Sequence, residues 1–536
     1  MDSMNRKMRA AICEWQVHVE GAIRRPKQLH RALSSSAAGR HQRNSLRCVS
    51  LGIVTTFLIC VLIFLGCDEF VCTSFQALQS TKIVSRRPAG SSVVKEEAAA
   101  AVPLGPNAIQ EQSCAGRYIY IYDLPPDFNQ LLVENCGNVP AWGDMCENLS
   151  NQGLGAQIEL PENDSLSEIL LPKDAWFHTD QFNLEVMFHE RLKRYPCLTV
   201  EPKKAAMFYI PFYPALDLTR NLLSPSMNLR DRLTERLVGW LQGNRNWRRL
   251  RGQKHFLIFG RIVWDFVRKE DSVNTWGNVL LTLPELKNVT KLLIERGHTH
   301  IDETGEADSK MIAIPYPTSF HPSTDLEIQN WQNTVRHSKR DLLVSFAGSS
   351  RNKNMSGEVR GVLLDACETS EQCTLIRCTH QTCVRTPQTI TELSLRSVFC
   401  LQPSGDSPTR KGIFDCMLAG CIPVFFHPLT AYEQYEWHLP ADGNSYSVYI
   451  DGDDVMQKRV DVMQHLALQF SAEKIESLRE TIITQILPGL VYRKPVATTA
   501  AAAEAASSSS SSSSSQPDAF DIIIQKLLAR FRPESI

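Results

Sequence analysis

The chain lacks a charge excess of either sign. Its 57 basic and 58 acidic side chains leave a net charge of −1. No global field draws it to nucleic acid or to an anionic surface, so no nucleic-acid partner is expected. It has no internal repeat. No pair of carboxylates is placed to suggest glycoside hydrolysis. The cysteine cluster Cys367, Cys373, Cys378 and Cys383 is spaced more widely than the usual C-x2–4-C of a zinc site, so it reads as disulfides whose pairing stays open. The D-x-D at Asp451 and Asp453, followed by Asp454, reads as a turn capping a helix over 454–468. No metal and no other cofactor is expected.

Against these absences stands a single uninterrupted uncharged run, VSLGIVTTFLICVLIFL, from Val49 to Leu65. It is just long enough for a thin bilayer. Arg40, Arg43 and Arg47 precede it, while Asp68 and Glu69 follow, so the N-terminal side is cytoplasmic and the bulk of the chain lumenal. A cleaved signal peptide fits less well, because the run starts deep in the chain and no small-residue cleavage site follows. Residues 1–47 then form a cytoplasmic tail, 48–67 a transmembrane signal-anchor and 68–113 a flexible stem. Eleven of the sixteen cysteines lie at or beyond Cys114, which suits an oxidising lumen. N-glycosylation sequons at Asn148, Asn163, Asn288 and Asn354 agree with it.

The remainder divides near residues 320–340. Strands over Tyr118–Tyr122, Ala206–Ile210 and Phe256–Phe259 alternate with helices over Gln181–Arg194 and Leu229–Leu241 in a first lobe, 114–325. A second lobe, 326–495, opens with a strand at Leu342–Phe346 and a helix around Val359–Cys367. The Ala/Ser run within 496–516 is a low-complexity loop, and 517–536 carries an amphipathic helix over Ala519–Phe531. Alternating βα units in both halves predict an α/β protein of two doubly wound lobes.

The segment LRSVFCLQPSGDSPTRKGIFDCMLAGCIPVFF (Leu395 to Phe426) carries the most chemistry. Val398–Leu401 is a strand. Pro403, Gly405 and Pro408 impose a loop, with Ser407 as N-cap and Pro408 as the first residue of a helix that Gly420 stops. Ligands of a βαβ unit sit beyond the carboxyl ends of its strands. That spot holds Gly405, Asp406, Ser407, Thr409 and Arg410, a setting for a diphosphate with Arg410 as its main contact and Asp406 either fixing the loop or on a ribose or sugar hydroxyl. The loop AGSSRNK after Phe346 offers a second set, with Gly348 for close approach and Arg351 or Lys353 for phosphate.

This segment resembles the plant exostosin-like glycosyltransferases, especially their xyloglucan galactosyltransferase branch. The likeness extends through GRYIYIYDLPPDFN (Gly116 to Asn129), HTDQFNLEVMFHERL (His178 to Leu192), FYIPFYPALDL (Phe208 to Leu218), FGRIVWDF (Phe259 to Phe266), IPYPTSFHP (Ile314 to Pro322) and LLVSFAGSSR (Leu342 to Arg351), ending in DAFD at Asp518 to Asp521. The resemblance implies a GT-B arrangement of two Rossmann-like lobes with the active site in the cleft between them, and a final helix that crosses back to the first lobe. It implies a type II Golgi membrane enzyme, in complexes with other Golgi transferases, that moves galactose with inversion from UDP-galactose to xylosyl side chains of xyloglucan. The base is then expected from the first lobe: Asp265, with Asp180 and His255 as the other candidates. The family carries an acidic residue before its His-Phe pair where this chain has Lys254, which moves weight from that position to Asp265. Trp264, Trp276 and Tyr213 are candidate acceptor contacts, and Tyr316 and His321 a wall between the lobes. UDP-galacturonate or a UDP-pentose as donor, or an inactive lumenal scaffold, are the alternatives.

Overall fold

The computed structural model describes residues 113–140, 142–159, 165–268, 275–297, 309–349, 358–379, 383, 386–495 and 516–532. The expected tail, membrane span and stem up to 112, the Ala/Ser run up to 515, and Arg351 and Lys353 lie outside the described residues. Among the described residues, no helix is long and apolar enough to cross a membrane.

Two five-stranded, wholly parallel sheets form the body. The first holds β1 (Ile119–Ile121), β2 (Met207–Tyr209), β3 (His255–Phe259), β4 (Thr290–Leu293) and β5 (Met311–Ala313), side by side in chain order. Parallel strands need both faces covered, and β2, β3 and β4 are buried at every position. Alternate β3 residues serve opposite layers. Phe256 and Ile258 pack with Leu184 and Phe188 of helix α1 (Leu184–Leu192). Leu257 and Phe259 share a cluster with Leu216 of α2 (Pro214–Asn221) and with Leu233 and Leu237 of α3 (Met227–Gly243).

Helix α4 (Asp325–His337) leads to the second sheet, made of β6 (Leu342–Gly348), β7 (Cys373–Arg377), β8 (Ser397–Gln402), β9 (Ile422–Phe425) and β10 (Val448–Tyr449). Its order is β10-β9-β8-β6-β7. The chain therefore moves to one side of β6 and then back across to the other. Helices α5 (Glu358–Thr369), α6 (Pro387–Arg396) and α7 (Gly412–Leu418) connect these strands. Gly420 ends α7 at φ +65°.

The last helix, Ala519–Phe531, opens on a reciprocal cap between Asp518 and Asp521 and returns to the first lobe. Phe520 meets Phe188 at 4.8 Å between ring centroids, and Arg530 donates to the Ser309 carbonyl at 2.6 Å. Disulfides join Cys114–Cys197, Cys136–Cys146, Cys367–Cys373, Cys378–Cys383 and Cys400–Cys421, which resolves the pairing of the cysteine cluster. Asp451 caps a short helix, Gly452–Met456, by accepting from the Asp453 N–H at 2.8 Å; a separate helix, Val462–Leu468, follows where one continuous helix was expected.

Candidate active site

The reversal of strand order lies between β6 and β8, and in open α/β sheets the crevice for a ligand opens there, beyond the strand carboxyl ends. Gly348 ends β6 and Gln402 ends β8, so the described start of the first loop, Ala347 to Ser349, lies beside the second. Arg410 ties them together, its Nη2 donating to the Ala347 carbonyl at 2.8 Å. Buried Arg360 on α5 braces the start of the second loop, with Nη2 donating to the carbonyls of Ser404 at 2.7 Å and Pro403 at 3.3 Å.

This loop departs from expectation in its second half. The helix begins at Gly412, not Pro408, and Ser407 caps nothing. The Ser407 hydroxyl donates instead to Glu295, just beyond β4 in the first lobe. Thr409 turns inward. The Tyr435 hydroxyl donates to the Ile294 carbonyl at 2.8 Å and so accepts from Thr409 at 3.1 Å. Both hydroxyls expected on phosphate are thus spent on holding the loop against the first lobe. Gly348 is a packing glycine: a Cβ there would meet the Phe346 ring at 2.8 Å and the Arg360 guanidinium at 3.0 Å.

A cavity of ≈ 860 Å³ faces this crevice, walled by both lobes. The second lobe contributes Asp406, Arg410, Lys411 and Gly412, together with the Cys378–Cys383 disulfide. Lys411 is paired with Asp415 one turn on, at 2.6 Å. The first lobe contributes Asp180, Arg261, Asp265, Trp264 and Trp276.

The carboxylates Asp180 and Asp265 share the cavity but differ in setting. Asp265 is 1% exposed; its Oδ2 accepts from Arg261 Nε at 2.7 Å and its Oδ1 from Trp276 Nε1 at 2.6 Å. Asp180 is half-buried in a turn, its Oδ1 accepting from the Phe182 N–H at 2.8 Å and its Oδ2 from Asn148 at 3.4 Å. Asn148, a sequon residue, therefore lies in the cavity wall, whereas Asn288 donates to the Arg251 carbonyl at 3.0 Å elsewhere; Asn163 and Asn354 lie outside the described residues.

His255 does not join them. It stands at the amino end of β3, opposite to the end where the loops converge. There it is fully buried, bonded to the Tyr122 hydroxyl at 2.7 Å and stacked on Phe208, and burial pushes its pKa down to about 4. Tyr213 is likewise core, bonded to His189 at 2.7 Å. The Ile314–Pro322 wall is bonded on two sides. His321 Nδ1 faces the Tyr492 carbonyl at 2.7 Å and must donate to it, leaving Nε2 for the Thr179 hydroxyl at 2.8 Å.

Four further groups join the site in three dimensions. His178 lines the cavity, and burial lowers its pKa. Arg261 is buried between Asp265 and the Phe182 ring, 4.4 Å from its centroid; its place four residues before Asp265 was the available signal. Glu185 is fully buried and accepts from the N–H groups of Ala215 and Gly260, both at 2.8 Å, which fixes the backbone before Arg261. Burial pushes it up to about 8, against the pull of those bonds and of Arg261. Glu295 is the fourth. Burial and the charge of Asp265 push it up to about 7 although Ser407 and Tyr316 donate to it.

Two parallel α/β lobes with a cavity between them, and a topological crevice on one side of it, define a GT-B-like protein. Residues 113–466 match the Exostosin GT47 domain, and the chain belongs to that family. Relatives in Arabidopsis thaliana include the xyloglucan galactosyltransferase MUR3, 38% identical over 77% of this chain and 62% of the relative. The xyloglucan-specific galacturonosyltransferase 1 is 41% identical over 73% and 55%, and the xyloglucan galactosyltransferase XLT2 is 38% identical over 79% and 77%. The chain thus spans less than two thirds of the length of the first two of these.

Proposed function

We propose that the protein is an inverting glycosyltransferase that moves galactose from UDP-galactose to xylosyl side chains of xyloglucan, from a body anchored in the Golgi membrane through residues 48–67. The observation that carries this reading is the cavity joining a diphosphate crevice in one lobe to carboxylates in the other. Glycosyl transfer needs both: charge on the leaving group must be met, and the acceptor hydroxyl must lose a proton.

Arg410 holds the diphosphate, since a guanidinium can grip two phosphate oxygens and this one is already oriented by the Ala347 carbonyl. Asp180 takes the proton. Asp265 was the first expectation, but both its oxygens are committed to short bonds, from Arg261 at 2.7 Å and from Trp276 at 2.6 Å. It serves instead to hold Arg261 and Trp276. The acceptor oxygen attacks the anomeric carbon as UDP leaves in line, in a single displacement that inverts the centre. No divalent metal is assigned a part.

A second reading, transfer of galacturonate, is favoured by the relative of that name at 41% identity and by Lys411 in the cavity wall, a cation that could turn from Asp415 to a uronate. The test is purified protein with a panel of UDP-sugars and xyloglucan oligosaccharides, products read by mass, with and without EDTA. A hexose increment from UDP-galactose, retained in EDTA, is expected. A uronate increment alone would select the second reading, and loss in EDTA restored by manganese would overturn metal-free transfer.

A further inference from the structure

Trp264 and Trp276 lie parallel, with ring centroids 5.6 Å apart and planes 15° from one another. They are 38% and 39% exposed, on the first-lobe wall of the cavity, where Trp142 adds a third indole at 51%. Indoles left half in water are normally a liability. Here the scaffold invests heavily in keeping one of them in place. The Trp276 N–H is pinned by Asp265 at 2.6 Å. Gly277 takes φ +81° and lies so close that a Cβ would meet the Asp265 carbonyl at 2.4 Å. Two arginines, 2% and 5% exposed, grip the same turn. Arg230 donates to the carbonyls of Thr275 and Gly277, and Arg268 to Gly277 at 3.1 Å while paired with Asp231. Burying two guanidiniums to hold carbonyls on either side of a solvent-facing tryptophan has no evident use in stability.

We propose that the Trp264–Trp276 stack is a docking platform for the β-linked glucan backbone of the acceptor, outside the position of the sugar that reacts. Pyranose rings whose substituents are all equatorial present flat apolar faces that fit an indole, and their hydroxyls fit the polar side chains Asp144, Glu147 and Gln181 on the same wall. The charges of this wall disfavour an anionic occupant: Asp144 and Glu147 are acidic, Arg261 is paired with Asp265, and Arg410 and Lys411 lie on the second lobe's side. Through its bond to Asp265, Trp276 also links the seated chain to Arg261. The inference rests on a glucan-based acceptor as proposed above.

The test uses the whole protein with two probes. Cellohexaose, which has no xylose to receive a sugar, should quench tryptophan fluorescence and compete with xyloglucan oligosaccharide. Trp264→Ala should weaken cellohexaose binding and raise the acceptor KM about tenfold, with UDP affinity and kcat nearly unchanged. Trp276→Phe keeps a ring but removes the N–H that Asp265 holds; it should raise the acceptor KM less than Trp264→Ala does. If Trp264→Ala weakens UDP instead, the stack holds the nucleobase and the platform is overturned. Unchanged acceptor KM in an enzyme that does galactosylate xyloglucan overturns the platform and leaves the transferase reading standing. Cellohexaose binding lost in Trp264→Ala, in a protein that transfers nothing to xyloglucan, does the reverse.

Discussion

The first sheet runs in chain order from β1 to β5, whereas the second reverses beside β6, and the two lobes build their halves of the cavity in different ways as a result. In the second lobe the topology itself opens a crevice, furnished by the end of β6, the loop after β8, the Cys378–Cys383 disulfide and α6. In the first lobe no reversal opens one among the described residues. Its polar groups come from long excursions beyond the strand ends: Asp180 from the segment between β1 and β2, and Arg261, Asp265 and Trp276 from the segment between β3 and β4. Such excursions must be held by side chains. Buried Glu185, Arg230 and Arg268 do that here, each bonded to backbone of the segment it fixes. The second lobe has its braces too, in Arg360, Arg410, Ser407 and Thr409, but they hold one loop, whereas those of the first lobe hold excursions from separate crossovers.

The sharpest test of this division is Asp180→Asn. The amide keeps the size of the carboxylate but cannot accept a proton, so turnover should fall by about 10²–10⁴-fold while UDP affinity holds. Calorimetry with UDP and turnover on the same sample separate the two effects. Near-normal turnover would return the assignment to Asp265 and leave the first lobe's proton acceptor inside its most heavily supported cluster.

Much of this was readable in the chain because local signals and tertiary structure agreed. The strands around Tyr118, Ala206, Phe256, Leu342 and Val398 are apolar runs, and each is a strand of a parallel sheet, buried throughout in β2 and β3 and half-buried over parts of β1, β6 and β8. The helix Ala519–Phe531 matched its 3.6 periodicity residue for residue. β4 escaped because TKLL carries Lys291, which is buried, and β7 because it is a half-buried edge. The start of α7 was misplaced for a sharper reason. Ser407 and Pro408 make a good local cap, but the Ser407 hydroxyl is claimed by Glu295 from 112 residues away, and the backbone stays a loop until Gly412. His255 misled because sequence shows which strand a residue belongs to more clearly than which end of the sheet faces the cleft. The grip of Arg230 and Arg268 on the Trp276 turn left no sequence signal at all.

The second lobe's half of the comparison rests on Arg410. If Arg410 holds the diphosphate as proposed, Arg410→Ala removes a charge-assisted contact that strengthens as UDP departs, worth roughly 2–4 kcal/mol where water is excluded, so kcat should fall about 10²-fold or more. Unlike Asp180→Asn, it should also weaken UDP, because the bound diphosphate is already charged. If UDP affinity is untouched, the crevice at β6 and β8 is not the diphosphate site, and topology has not placed the ligand.

The smallest effect on turnover is expected where the lobes are joined, at Glu295. Its carboxyl lies just beyond β4, accepts from Ser407 of the second-lobe loop, and faces Tyr316, with Asp265 near enough to act on it by charge. Burial is the larger cause of its rise from the usual 4.5 to about 7, and Asp265 adds to it. Between these values the folded protein keeps a proton that the unfolded chain has released. The stability tied to that proton is therefore complete below about pH 4.5 and is lost as pH rises to about 7, a change on the order of 3 kcal/mol. Glu295→Gln mimics the protonated acid and still accepts from Ser407, so the loop should stay in place and turnover near neutral pH should change little. Thermal unfolding of the two proteins from pH 5 to pH 8 should diverge, the variant gaining on the wild type as pH rises and the gap levelling off above pH 7. Parallel curves would mean that Glu295 is already ionised in the fold. Its bond to Ser407 would then be a charged one, and the lobes would be tied together more tightly than a neutral carboxyl allows.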